Sequence, residues 1–122
     1  MRSKILLGAA AALVCFAAAA EATVLRVVVV ETTDAAAYVK ELQRGQAMMK
    51  QAGLTGQIRA WRARFAGAEA GAVVVSVEYA DMATYAAEDK KMAADPEISA
   101  WLKGLDKVRK IVSDSMYDEL KP

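Results

Sequence analysis

Histidine is absent from the sequence, and cysteine occurs once, as Cys15. Histidine is the commonest general base near neutral pH and the commonest transition-metal ligand. Its absence excludes a Ser-His-Asp triad and a haem held by an axial histidine. A Cys/His zinc site is excluded for the same lack of ligands. We therefore expect no metal and no cofactor, so that any chemistry would come from carboxylate, lysine, tyrosine, serine or arginine side chains.

The N-terminal segment has a basic start followed by an uncharged run rich in alanine, leucine and valine. That run covers residues 5–20, which is short of the roughly 20 strongly apolar residues that a membrane span needs. Ala20 and Ala22 fit the small-x-small pattern of a cleavage site. We predict a signal peptide over 1–22, with an uncleaved anchor as the alternative, and a periplasmic or secreted domain over 23–122.

The predicted mature domain has balanced charge. Without the leader, the 16 basic and 15 acidic residues of the chain become 14 of each sign. Binding to phosphate backbones requires an excess of lysine and arginine, so we expect no nucleic-acid partner. The domain would contain no cysteine to form a disulfide, and about 100 residues bury an adequate core that association would reinforce. A second copy and a small molecule are the partners we expect, with no stable membrane span after cleavage.

Hydrophobic periodicity gives the order of the elements. Short runs rich in β-branched residues predict strands, and apolar residues repeating every three or four positions predict helices. The predicted elements are strands over 24–31, 57–65, 72–79 and 111–120 and helices over 35–51, 82–94 and from 96 onward. The order βαββαβ is typical of an α+β, ferredoxin-like fold, an antiparallel sheet with helices on one face. The last strand has a helical alternative, since its Asp, Glu, Met and Leu also suit helices.

Four local features refine this pattern. The first strand is apolar on both alternating faces, which predicts cover on both sides. Asp95 followed by Pro96 suits a helix start, with a cap and a proline at the first position. The helix after it carries an apolar stripe, comprising Ile98, Trp101, Leu102, Leu105 and Val108. Gly45 falls inside the first helix, where we expect it to allow close packing at a modest cost in helix propensity.

The segments VEYADMATYAAEDKKMAADPEISAWLKGL and IVSDSMYDEL carry a family resemblance. With the order of elements, they resemble the dimeric α+β barrel superfamily, which includes antibiotic-biosynthesis-monooxygenase-like and NIPSNAP-like small domains. The resemblance implies a homodimer whose two sheets pack face to face, and in many members a pocket between sheet and helices. Members perform cofactor-free oxidation, haem breakdown, dehalogenation-like or isomerase chemistry. Haem-handling members commonly use a histidine, which this sequence lacks.

The stretch RAWRARF, residues 59–65, concentrates arginines and aromatic residues on a predicted edge strand. Strand alternation divides them, with Arg59 and Trp61 on one face and Arg62 and Arg64 on the other, so they do not form one cluster. The opposite edge of the sheet is acidic. We expect Arg62 and Arg64 to pair across a homodimer interface with Asp114 or Asp118 of the second copy, and an anionic ligand is the alternative.

Candidate site residues are few. Asp89, Tyr79 and Tyr85 are the best catalytic candidates, because an acid beside an apolar helix stripe can become a desolvated base. Solvent exposure of Asp89 is the alternative, and the charged turn from Glu88 to Lys91 is typical of a solvated helix face. As ligand-binding residues we name Trp61, Trp101 and Arg59, although such tryptophans more often serve as core or interface residues.

Two classes of function remain compatible with these patterns. The first is an exported homodimer that binds a small molecule or serves as a structural dimer module. The second is a cofactor-independent monooxygenase or isomerase acting on a small organic substrate. An enclosed cavity containing Asp89 or Tyr79 would favour the second, and a core filled by Trp101, Tyr85 and the methionines would favour the first.

Overall fold

The computed structural model describes residues 22–121. The predicted signal peptide lies outside these residues, apart from its last position. No helix within 22–121 is long and apolar enough to cross a membrane.

Four antiparallel strands form one sheet. The strands are β1 (Val24–Glu31), β2 (Gln57–Arg62), β3 (Val73–Tyr79) and β4 (Lys110–Asp118). Their order across the sheet is β2-β3-β1-β4, so β2 and β4 are its edges. The predicted α+β ferredoxin-like arrangement is confirmed, including the strand at the C-terminal end that had a helical alternative.

Three helices lie on one side of the sheet: α1 (Ala35–Gln51), α2 (Met82–Ala94) and α3 (Pro96–Leu105). Each begins at an aspartate whose side chain accepts backbone N–H bonds, and those caps are Asp34, Asp81 and Asp95. Asp95 accepts from the amides of Glu97 and Ile98 at 2.9 and 3.1 Å. The predicted cap and proline start of α3 are therefore confirmed, and they explain why α2 and α3 are separate helices.

Strand β2 is shorter than predicted. It ends at Arg62, because the chain turns through Gly67 and Gly71, whose φ angles are 58° and 87°. Arg64 and Phe65 therefore lie in the loop and not on the faces of a strand. Helix α3 likewise ends at Leu105, so Val108 is not part of its buried stripe and is 41 % exposed.

The core lies between the helices and one face of the sheet. It comprises Val28, Val30, Val73 and Val75 from the sheet, Tyr38, Leu42 and Met49 from α1, Ile98, Trp101 and Leu105 from α3, and Leu54. The other face has no covering helix among the described residues. On it, Trp61 and Tyr117 are 54 % and 56 % exposed. The prediction that both faces of β1 are covered is therefore wrong for the single chain.

The start of β2 is fixed by two side chains. The Gln46 side-chain amide donates to the Gly56 carbonyl at 3.0 Å and accepts from the Ile58 backbone N–H at 2.7 Å. This side chain therefore satisfies part of the unpaired backbone at the outer edge of β2. Glu88 accepts from the amides of Thr55 and Gly56 at 2.8 and 3.0 Å and from the Thr55 hydroxyl. Glu88 is only 6 % exposed, so its prediction as part of a solvated helix face is wrong. Those three donors compensate the loss of its hydration.

Gly45 allows α1 and α3 to approach closely, as predicted. A Cβ atom at this position would overlap the six-membered ring of Trp101. The Trp101 indole N–H donates to the Glu41 carbonyl of α1 at 3.1 Å, which holds the ring against the glycine. The contact therefore joins the two helices across a position where no side chain fits.

We expect Gly45→Ala to destabilise the domain, although alanine is the better helix former by about 1 kcal/mol. The added methyl displaces a buried indole, and overpacking of this kind costs roughly 1–3 kcal/mol. Gly104→Ala is the matched control, since nothing lies within 4 Å of its Cβ position in α3. Chemical denaturation should give Gly45→Ala a lower free energy of unfolding than the wild type. Gly104→Ala should have a free energy of unfolding equal to or higher than that of the wild type. Equal stability of the two variants would contradict this packing account.

Candidate ligand-binding cavity

A cavity of about 120 Å³ lies between the helix-bearing face of the sheet and the helices. Most of its wall is apolar, comprising Val28, Leu42, Met49, Ile58, Val75, Val77, Met92, Trp101, Leu102, Leu105 and Ile111. Its polar wall residues are Arg26, Tyr79, Asp89, Arg109 and Asp114. An apolar space with a few polar groups is typical of small-molecule sites.

A larger groove of about 430 Å³ runs between α1 and α3 on the outside of the domain. Four charged side chains border it, Glu41, Arg44, Glu97 and Lys107. It is more open to solvent than the inner cavity, and its polar groups point along an exposed surface. The inner cavity is therefore the better candidate for a site that excludes water.

Arg26 and Asp114 form the principal ion pair of the cavity wall. They lie on neighbouring strands, since Asp114 of β4 is opposite Val28, two positions along β1 from Arg26. Both side chains therefore project toward the helices. The Nε of Arg26 donates to Oδ1 of Asp114 at 3.0 Å, and Nη2 donates to Oδ2 at 2.6 Å. This two-pronged geometry is the strongest form of arginine–carboxylate pairing.

The pair favours the charged form of both partners. The hydrogen bond to Asp114 raises the pKa of Arg26 above its usual value, with burial acting in the opposite direction. The hydrogen bond from Arg26 lowers the pKa of Asp114. Their side chains remain 36 % and 39 % exposed, so the ion pair lies where the cavity meets solvent.

Tyr79 and Tyr85 lie near Arg26. Their rings meet edge to face, with centroids 5.2 Å apart and planes inclined at 75°. Burial is the main cause that raises the pKa of Tyr79 to about 12, with the negative charge of Glu88 adding to it. Tyr79 is therefore a neutral hydroxyl at physiological pH, and its O–H is available as a hydrogen-bond donor.

Asp89 contributes its side chain to the cavity wall from α2, but the residue is exposed overall. Its charge acts on Arg26 and favours the ionised guanidinium. The two alternatives considered from the sequence are thus combined in the structure, because Asp89 is hydrated at the rim and still faces the cavity. A carboxylate there can accept a proton or a hydrogen bond from a bound molecule.

Arg109 is the second arginine of the cavity wall, and its side chain is only 12 % exposed. Its Nη1 donates to the Tyr38 hydroxyl at 3.0 Å, and its guanidinium carbon lies 5.9 Å from the centroid of that ring. Its Nε is enclosed and has no hydrogen-bond acceptor, the nearest carboxylate oxygen being Oδ1 of Asp106 at 3.8 Å. In contrast to Arg26, this guanidinium is incompletely satisfied.

The structure brings some of the predicted site residues together and separates others. Asp89, Tyr79 and Trp101 all contribute to the cavity wall, and Tyr85 packs behind Tyr79. Trp61 and Arg59 lie on the opposite face of the sheet, opposite Val74 and Ser76 of β3. There the Trp61 indole donates to the Ser76 hydroxyl at 2.9 Å. Neither residue contributes to this cavity.

The predicted interface residues occupy different environments. Asp114 is engaged by Arg26 of its own chain, and Arg62 donates to the Gly71 carbonyl at 3.3 Å. Arg64 and Asp118 are both exposed. Pairing between subunits therefore stays a prediction, and Asp118 is the acidic residue whose carboxylate is more accessible for it.

Sequence reasoning did not identify Arg26 or Arg109 as site residues. The signal for Arg26 was available, because it is a charged residue inside the apolar run VLRVVVVE. On a strand with one buried face, such a charge requires a partner or water. No comparable signal marks Arg109, since its burial depends on how the chain returns from α3 to β4.

Within residues 22–121, no group of three or more His, Cys, Asp or Glu side chains is arranged to hold a metal ion.

The fold resembles several solved structures at low sequence identity. A NIPSNAP family protein from Agrobacterium tumefaciens has a TM-score of 0.59 and 16 % identity, with 84 % of this chain and 88 % of that chain covered. SnoaB, a cofactor-independent oxygenase from Streptomyces nogalater, has a TM-score of 0.59 and 14 % identity, with 83 % and 96 % covered. An uncharacterised NIPSNAP domain protein from Burkholderia xenovorans has a TM-score of 0.60 and 17 % identity, with 83 % and 94 % covered.

No protein-family model and no curated protein matches the sequence. At this level of identity the structural neighbours confirm the predicted fold and no more. Fold alone does not carry an activity, so the function must be argued from the cavity.

We expect Asp114→Asn to lower stability at pH 7 by up to about 1 kcal/mol, a modest amount because the pair is partly exposed. The folded-state pKa of Asp114 lies below its ordinary value of 3.8. The ionised carboxylate therefore stabilises the folded state fully at pH values above the ordinary pKa. This stabilisation is lost as pH falls through the lower pKa of the folded state. Urea denaturation should show a difference between variant and wild type at pH 7 that shrinks below the ordinary value. Glu119→Gln, an exposed carboxylate just beyond the end of the same strand, is the control. A difference that does not vary with pH would assign the loss to packing instead.

Proposed function

We propose that this protein binds a small organic molecule in the cavity between sheet and helices. The observation that carries the proposal is the composition of the cavity wall, in which eleven apolar residues surround most of the space and five polar or charged residues complete it. Apolar cavities of about 150 Å³ accept benzene. The volume here is smaller, about 120 Å³, so a single ring is the largest group that the cavity would take, with polar substituents reaching out toward Arg26 and Asp114.

The apolar and the polar residues of the cavity wall have separate roles in this proposal. Trp101, Met92 and Val77 provide apolar contact for the ring. The ion pair provides fixed charges at the mouth, and Tyr79 provides a hydroxyl that stays protonated. Binding energy would come mainly from removing the ring from water, and the polar groups would orient it.

A panel of single-ring compounds, comprising phenol, benzyl alcohol, benzylamine and benzoate, tests the binding proposal on chain 23–122. We expect at least one of them to shift backbone amide signals of residues around the cavity in two-dimensional NMR. Val77→Phe places a ring in the cavity and should weaken that binding at least about tenfold, since an occupied cavity has no room for the ligand. Val108→Phe adds the same ring on the exposed turn and should leave the affinity unchanged.

The proposal fails if no compound of the panel binds. It also fails if Val77→Phe remains folded and binds as well as wild type, because the molecule would then be held elsewhere.

We also propose that the protein is an exported homodimer. The exposed face of the sheet supports this arrangement, because apolar side chains from β1 and β3 lie there between Trp61 and Tyr117 of the edge strands. An apolar patch of this kind is typical of a contact surface. Packing two such faces together would complete the cover of β1 that the single chain lacks.

We expect chain 23–122 to sediment as a dimer and Trp61→Glu to shift it toward monomer, because a charge would then be buried at the contact. Phe65→Glu is the control, since Phe65 is fully exposed in the loop beyond β2. Reversing the charges of Arg62 and Arg64 together tests the predicted edge contact separately and should weaken the dimer. A wild-type monomer at all concentrations would contradict the homodimer.

Export has a direct test of its own. N-terminal sequencing of the protein from the periplasm or medium of its producing cells should begin at Thr23. A full-length protein in the cytosol would contradict export.

A second candidate function is cofactor-independent oxygenation or isomerisation of the bound molecule. Asp89 in the cavity wall beside Tyr79 favours it, because a carboxylate can remove a proton while a neutral hydroxyl stabilises the resulting oxyanion. The oxygenase among the structural neighbours supports the same candidate. Compounds that bind should then exchange a carbon-bound hydrogen with deuterated water, and Asp89→Asn should abolish the exchange while retaining binding. Exchange that persists in Asp89→Asn would exclude Asp89 as the base.

A further inference from the structure

Arg109 is placed to recognise a charge on the ligand. It lies in the connection between α3 and β4, next to the first residue of β4, and its side chain turns inward to the cavity wall. Only 12 % of that side chain is exposed, although arginine is among the residue types least often buried. A guanidinium stays charged in any protein environment, so its burial requires hydrogen-bond acceptors.

The contacts within the chain do not meet that requirement. The Tyr38 hydroxyl accepts one hydrogen bond, and the Tyr38 ring provides a weak cation–π contact at 5.9 Å. Asp106 is 71 % exposed and its Oδ1 is 3.8 Å from Nε, beyond hydrogen-bond distance. The Nε–H is enclosed and has no acceptor. Buried donors without a partner are rare in folded proteins, so the described residues match the charge of Arg109 only in part.

Arg26 has a hydrogen-bonded carboxylate partner, and Arg109 does not. Both arginines belong to the wall of one cavity, and Arg26 is matched by two carboxylate oxygens of Asp114. Arg109 has no such carboxylate, although its charge is close enough to lower the pKa of Asp114. Asp114 is committed to Arg26, and Asp89 is exposed at the rim on α2. The unmatched positive group inside the cavity is therefore Arg109.

We propose that the ligand is a single-ring carboxylate, whose anionic oxygens accept from Arg109 while its ring occupies the apolar part of the cavity. The inference rests on the proposed binding function and specifies its ligand class. Planar carboxylates match the fork of guanidinium N–H donors, which gives both charge and geometric selectivity. Neutral compounds of the same shape would leave the positive charge of Arg109 in the cavity wall without a counter-ion.

Benzoate and benzamide form the decisive pair of probes, since they share one ring and a planar substituent and differ in charge. We expect chain 23–122 at pH 7 to bind benzoate at least about tenfold more tightly than benzamide, as for a hydrogen bond to a charged group. Benzoate should also move a guanidinium N–H signal of Arg109 downfield in NMR, and benzamide should not. These two measurements use the wild type, so they do not depend on whether a variant folds.

Variants then assign the selectivity to Arg109. Arg109→Gln should reduce the benzoate-to-benzamide preference to near unity, and Arg109→Lys should retain part of it because the charge remains. Arg44→Gln, in an exposed pair with Glu41, is the control and should leave the preference unchanged.

The outcomes separate this inference from the proposed function. If neither probe nor any other ring compound binds, the binding function itself is wrong. If benzamide binds as well as benzoate, or the guanidinium N–H signals of Arg109 stay in place with benzoate bound, binding stands and the carboxylate inference is wrong.

Discussion

The ion pair between Arg26 and Asp114 is the constraint on which the cavity depends. Both residues lie on the helix-bearing face of the sheet, where neighbouring positions of β1 and β3 are packed against helices. Removing both charges completely from water would cost more than their attraction returns. The helices therefore cannot close fully over this part of the sheet, and the pair stays about one-third exposed. The space left beside it is the cavity.

The remainder of the core is packed tightly enough to keep that space small. Trp101 lies directly on Gly45, which brings α3 close to α1 and fixes the indole as one wall of the cavity. Glu88 anchors the loop before β2 and so sets the position of α2, which carries Asp89 at the rim. Glu88 and Gly45, which do not line the cavity, thus determine the positions of Asp89 and Trp101, which do.

The one-sided sheet accommodates both proposed functions, ligand binding and dimerisation, in one small domain. Helices cover the face that carries the cavity, and the exposed face offers Trp61 and Tyr117 as a contact surface. A ligand and a second subunit can therefore bind on opposite sides of the same four strands. The central strand β1 connects them, because its alternate residues face the cavity and the exposed surface.

Much of the fold follows from sequence pattern, whereas much of the site does not. Valine-rich runs, aspartate caps and the Asp95-Pro96 break predicted the four strands and the three α-helices, since these signals act over a few residues. Pattern also placed Asp89, Tyr79 and Trp101 on helix and strand faces that turned out to meet at the cavity. It could not show that Glu88 is buried, because that depends on a loop 32 residues away along the chain. Arg109 was missed for the same reason, since its partner Tyr38 is 71 residues distant.

A crystal structure of chain 23–122 under xenon pressure tests the central claim most directly, because xenon enters real apolar cavities and not well-packed cores. The account predicts a xenon atom between Trp101, Met92 and Val77, with the Arg26–Asp114 pair intact at the mouth. Side chains closed over that space, with no xenon bound there, would contradict it.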